Sequence, residues 1–166
     1  MEKCEIRQRF ERALHNFYSK EALLIKYKVC ERALTHKLAE HLQKQFPHHH
    51  VDCEYNRVGR DGDPKRLSVL MLGDPDCPCN CAECHPGKCV IFPDIIVHRR
   101  GTGKNLLVIE AKTAWGGLSP NHDHQKLVKL TASGLYHYRL GIAFCFTSTC
   151  ANTLKTIKEY SEEYEK

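Results

Sequence analysis

The chain lacks any run of about 18 uninterrupted apolar residues, the length that a membrane-spanning helix requires. Its first residues, Met1-Glu2-Lys3-Cys4-Glu5, carry no apolar signal region, so a cytoplasmic, water-soluble protein with no membrane partner is expected. No internal repeat and no low-complexity segment is present, which sets aside repeat arrays and disordered tails. There is also no stretch left over for a separate recognition domain.

What remains is ordinary globular material. The 166 residues are 42% hydrophobic and 8% aromatic, enough for one core. A single domain over residues 1–166 is expected, with a cysteine-rich insertion at 73–90. The formal charge of +5 is mildly basic and agrees with a polyanionic partner without proving one.

From Glu2 to Phe46 the sequence reads as helix, broken near Ser19. Leu23, Tyr27, Cys30, Leu34, Leu38, Leu42 and Phe46 then recur at steps of three and four as a core-facing stripe. Pro47 and His48-His49-His50 end that helix as a solvated turn. Val51 to Arg57 alternates as a strand, and Leu67 to Leu72 suggests another. Two strongly apolar strands follow, Phe92 to Val97 and Leu106 to Lys112, joined by a glycine-containing hairpin connection. A helix over 121–138, a strand over 141–147 and a polar terminal helix over 151–166 complete the pattern. The order predicts an α/β fold with a mixed central sheet flanked by helices.

The chemistry is concentrated on the two apolar strands. Alternation puts Leu106, Val108, Glu110 and Lys112 on one face, so acid and amine emerge side by side. Asp94 follows Pro93, where the ladder is interrupted and a side chain is aimed outward. Two nearby carboxylates repel unless a positive charge lies between them, and magnesium or manganese is the usual solution. Lys112 beside them suits water activation or charge stabilisation in metal-assisted phosphodiester hydrolysis. Such acids at strand ends are often merely solvated, but here they stand where buried strands emerge. Glu31 lies inside the apolar arc of its helix, which implies either a metal or a salt bridge to a buried cation. Glu54 either lines the same site or belongs to the wet side of its strand.

The order of Glu31, Asp94 after Pro93, and Glu110-Ala111-Lys112 resembles the PD-(D/E)XK nuclease superfamily over roughly Val29 to Phe146. The resemblance implies a restriction-endonuclease-like core (αβββαβ), with Asp94, Glu110 and Glu31 as magnesium ligands and Lys112 assisting the attacking water. A polar residue on the helix after the lysine is also implied, with Asp123, Gln125 and Lys126 as candidates. The Gln-x-x-x-Tyr pattern of the exonuclease-like branch is missing, since Lys129 stands four residues after Gln125. A magnesium-dependent endonuclease on DNA is therefore expected. The alternative is a catalytically silent nucleic-acid- or protein-binding module of the same fold with a structural zinc.

Five of the ten cysteines, Cys77, Cys79, Cys81, Cys84 and Cys89, crowd into one short stretch with turn-forming residues between them. Structural zinc is expected, held by Cys81, Cys84, Cys89 and either Cys77 or Cys79, with His85 less suited and an iron-sulfur cluster as the competing metal. Cys30 and Cys145 read as core residues. Arg57, Arg60, Arg99, Arg100 and Lys104 lie in connecting segments and are expected to grip phosphates. His122 and His124 flank Asp123 before a helix and are candidates for a place near the substrate. Trp115 and Tyr136 are candidates for base stacking. Target choice then falls to the insertion, to loops, to a homodimer or to a partner protein.

Overall fold

Nine consecutive residues, Asn105–Thr113, form the strand around which the rest of the chain is arranged. All but one of them is buried, so the run is apolar on both faces, as a central strand covered on each side must be. The computed structural model describes residues 1–59, 61–68, 88–116, 120–132, 134 and 136–162. Its elements are α1 (Lys3–Lys20), α2 (Ala22–Lys26), α3 (Glu31–Gln45), β1 (His50–Cys53), β2 (Arg57–Val58), β3 (Asp63–Pro64), β4 (Arg66–Ser68), β5 (Lys88–Val90), β6 (Ile95–His98), β7 (Asn105–Thr113), α4 (Pro120–Thr131), β8 (Leu140–Phe146), α5 (Cys150–Leu154) and β9 (Lys158–Tyr160).

The main sheet has the order β1-β6-β7-β8-β9. β6 and β7 form the expected antiparallel hairpin, β7 and β8 run parallel, and the outer pairs are antiparallel. A parallel neighbour requires a crossover, and α4 provides it. On one face Phe10, Phe17, Leu34 and Leu38 of α1 and α3 close over Leu107, Ile109, Ile142 and Phe146. On the other, Leu127 and Leu130 of α4 pack on Ile96 and Val108. The result is a mixed sheet between helical layers, as the sequence predicts. Among the described residues, no helix is long and apolar enough to cross a membrane.

Gly141 permits the closeness of the second layer. A Cβ there would lie 3.0 Å from Thr131 Cγ2 and 3.2 Å from Tyr160 Cβ, so α4 and β9 both press against the bare backbone of β8.

Several local expectations are corrected. The helix expected to run unbroken to Phe46 is divided into α2 and α3 by Lys28, which adopts a left-handed φ of 50°, and by the hydrogen bond from Trp115 Nε1 to the Val29 carbonyl. Leu23 and Tyr27, which fit the apolar stripe, are 61% and 68% exposed, and Cys30 is exposed at the N-cap of α3. The strand at Val51 stops at Cys53, because Glu54 takes a φ of 49°. α4 ends at Thr131 instead of reaching Tyr138. The polar terminal helix is replaced by the short α5 and the edge strand β9.

The strand pair β4–β5 closes the base of the cysteine-rich insertion, with Leu67 opposite Cys89. Of the second strand expected over 67–72, residues 69–72 lie outside the described residues. Tyr136 fastens this ribbon to the core. Its hydroxyl donates to the Arg66 carbonyl at 2.9 Å and accepts from the Arg66 amide at 2.6 Å. Tyr136→Phe leaves both backbone groups without this partner and should lower unfolding free energy by about 1–2 kcal/mol in chemical denaturation.

Candidate active site

The register of the hairpin brings the acids together. Ile95 pairs with Ile109, so one further step along the ladder sets Asp94 opposite Glu110. Ile96 and Val108 face α4, and period-two alternation directs Asp94 and Glu110 to that same face. Asp94 Oδ2 accepts the Ala111 amide at 2.7 Å, which holds its carboxylate across the end of the hairpin. α4 then lays Asp123 and Lys126, one turn apart, over the two strands.

A network of four carboxylates and two amines results. Lys126 Nζ lies 2.8 Å from Glu110 Oε2 and 3.7 Å from Asp123 Oδ1. Lys112 Nζ lies 3.2 Å from Asp123 Oδ2 and 3.3 Å from Glu31 Oε1. Asp123 thus bridges the two lysines. Glu31 stands in the first turn of α3 and meets a lysine, the salt-bridge outcome that its position on the apolar arc allows. Of the three candidates on the crossover helix, Asp123 and Lys126 enter the network and Gln125 takes no part in these ion pairs; its Oε1 is buried without a hydrogen-bond partner.

Burial controls the protonation of the cluster. Glu110 is 2% exposed, and desolvation drives its carboxyl well above the ordinary range; Lys126 opposes this, while the charges of Asp94 and Asp123 add to it. Burial also raises the Asp94 carboxyl, against the Ala111 hydrogen bond and the two lysines. Desolvation disfavours charge on Lys112 and Lys126 as well, yet the surrounding carboxylates outweigh it and hold both amines above the usual lysine range. One oxygen is left over. Glu110 Oε1 is buried and has no hydrogen-bond partner.

That orphaned oxygen bears on metal binding. Among the described residues no group of three or more His, Cys, Asp or Glu side chains is drawn together as a ready-made cation cage. Magnesium does not need one, because it keeps several waters and takes only one or two carboxylates. Glu110 with a free oxygen and Asp94 beside it, each raised toward neutrality partly by its acidic neighbours, form a donor pair that a hard cation would relieve. The residues fit such an ion.

Glu54 points elsewhere. Its amide donates to the Asp94 carbonyl, but its carboxylate pairs with Arg32 at 2.8 Å on the surface. The basic rim is also redistributed. In an antiparallel hairpin the turn after β6 lies at the opposite end of the strand from Asp94, so Arg99, Arg100 and Lys104 cannot flank the acids. Arg100 clasps Asp52, which also meets His98 Nε2 at 2.8 Å. Arg57 sits in the β2–β3 ribbon, and Arg60 lies outside the described residues.

Of the aromatic candidates, Tyr136 is buried by its Arg66 contacts and Trp115 is tied to Val29. Among the described residues, Tyr27 and Phe92 are exposed large aromatic side chains, four residues before Glu31 and two before Asp94 in the sequence. The apolar pattern of their segments concealed both. His124 packs against Tyr160 with Nδ1 3.1 Å from its hydroxyl, and nothing is described of the His122 side chain. Cys89 is disulfide-bonded, so zinc ligation by its thiolate requires that bond to be reduced. Cys77, Cys79, Cys81, Cys84 and His85 lie outside the described residues.

Comparison with protein-family models, curated proteins and solved structures gives no match to this chain.

The network predicts an asymmetric response to mutation. Lys126→Ala leaves Glu110 buried and unpaired and should cost about 3 kcal/mol or more, whereas Glu110→Gln leaves Lys126 a second carboxylate, Asp123 at 3.7 Å, and should cost less. In metal-free buffer the sign of the pH dependence follows from Glu110 and Asp94. Both carboxyls bind protons more tightly folded than unfolded, so their contribution to stability declines as pH rises from the ordinary carboxylate range through their elevated values. Thermal melts in EDTA between mildly acidic and neutral pH should show this decline, and Glu110→Gln should flatten it.

Proposed function

We propose that this chain is a magnesium- or manganese-dependent endonuclease that hydrolyses phosphodiester bonds in DNA, with a restriction-endonuclease-like core. The observation that carries the reading is the convergence of Asp94, Glu110 and Lys112 where the buried β6–β7 hairpin emerges, with Glu110 Oε1 unpaired. Helix α3, strands β1, β6 and β7, helix α4 and strand β8 follow one another in the order that the PD-(D/E)XK resemblance leads one to expect.

Asp94 and Glu110 are the residues that would hold the ion, with Glu31 the nearest further acid on α3. When bound, a divalent cation supplies a Lewis acid for the phosphoryl oxygen and lowers the pKa of attacking water. Everything else falls to the chain. Lys112 keeps its proton across the neutral range and offers a fixed positive charge to a negatively charged phosphoryl group. Asp123 and Glu31 hold that amine in place. Lys126 neutralises Glu110 and so keeps the buried carboxylate tolerable between turnovers.

The deciding experiment is cleavage of a supercoiled plasmid and a single-stranded circle with magnesium or manganese. Native protein should nick or linearise DNA, and Glu110→Ala and Lys112→Ala should each lose activity by about 100-fold or more. Cleavage that survives both substitutions would refute the site. Failure of the native chain on both substrates would favour the silent binding module instead, a reading to which the closed Lys126–Glu110 pair lends weight. Zinc in the cysteine-rich insertion belongs to the same proposal. Metal analysis of reduced protein should give about one zinc per chain, lost on Cys81→Ser or Cys84→Ser.

A further inference from the structure

The cations that are absent from the acid site line a separate cleft. At the opposite end of the sheet a cavity of about 1120 Å³ lies between the start of α1, the loop after α3, the β6–β7 turn and the segment entering β8. Arg99, Lys104 and Arg139 stand in its wall with His48, His49 and His137; Glu2 and Glu162 are the acids there. Arg99, Lys104 and His137 are exposed. Arg139 has one amine on the Met1 carbonyl and its charge unopposed by a carboxylate in that contact.

The charges around His49 agree with a positive site. His49 is held below the ordinary histidine range by burial and then by the positive charges of Arg99, His48 and Arg9. His137 adopts a left-handed φ of 41° in the segment entering β8. The residue after it, Tyr138, is buried in the core, while Arg139 beyond it is turned outward.

We propose that this cleft is a second grip for the phosphodiester backbone of nucleic acid, separate from the acid site. The inference rests on the phosphodiester reading for its choice of polyanion. Asn105 and Leu106 line the cleft, and Glu110 and Lys112 lie further along the same strand, so the two sites are about 20 Å apart at the rise of a β-strand. That span equals about six base-pair steps of duplex. The cations are distributed over several segments around an open cleft instead of converging on one point. Such a distribution suits successive phosphates along a strand better than one small phosphorylated molecule.

Binding in EDTA separates this proposal from catalysis. A labelled duplex of about 20 base pairs is titrated by fluorescence anisotropy at several salt concentrations, with native protein, Arg99→Ala/Lys104→Ala and Lys37→Ala. The double variant should bind about tenfold more weakly, and the slope of log affinity against log salt should fall by about two. Lys37→Ala, which removes a cation of α3 paired with Glu40 outside the cleft, should keep the native slope. Unchanged affinity and slope in the double variant would overturn the cleft as a nucleic-acid grip, whatever the plasmid assay shows. Loss of binding in that variant would uphold it even if the chain cleaves nothing. Displacement of the duplex by ATP or by polyglutamate at matched charge would overturn it in favour of a small phosphate ligand or an acidic protein segment.

Discussion

The ion pair between Glu110 and Lys126 is the constraint to which the other features answer. A carboxylate at the emerging end of a fully buried strand is intolerable in that medium unless a cation reaches it. That requirement fixes the phase of α4, because Lys126 must face the sheet one turn beyond Asp123 while Leu127 and Leu130 fill the space beside Val108. It also needs α4 to lie low, and the absence of a side chain at Gly141 permits this. Asp123, carried inward by the same turn, then secures Lys112, and Lys112 secures Glu31 across the far helical layer. The acidic cluster is thus built from both faces of the sheet around one strand.

The parts of this arrangement legible in the sequence are those that depend on short-range alternation. Asp94, Glu110 and Lys112 stand in or beside runs that have no plausible conformation but buried strand, and period-two geometry decides their side. Lys126 is not separable from Asp123 and Gln125 in the sequence, because polar residues within one turn of a helix are distinguishable only when the helix's rotation about its axis is known. The division between α2 and α3 was hidden for another reason. Leu23 and Tyr27 keep the apolar spacing, but the hydrogen bond from Trp115 to Val29 and the left-handed Lys28 are tertiary facts with no local signature. β9 spans three residues, too few for alternation to register, and its burial comes from Tyr160 settling beside Gly141.

The basic residues illustrate a different error. Arg99, Arg100 and Lys104 follow the Asp94 strand within a few positions, and nearness in sequence suggested nearness in space. A hairpin reverses that inference, since every residue along β6 moves the chain further from Asp94. Arg100 is then claimed by Asp52, and only Arg99 and Lys104 remain for an external anion. One end of the strand gathers carboxylates with their lysines; the other gathers cations with little to oppose them.

The sheet's outer strands carry a last consequence, for self-association. β1 is four residues long and β9 three, and their sequences, His-Val-Asp-Cys and Lys-Glu-Tyr, bring charged groups to both margins. Short, charged borders offer a neighbouring chain few backbone groups to pair with and penalise its approach. Two copies of this protein are therefore poorly equipped to extend one sheet into the other.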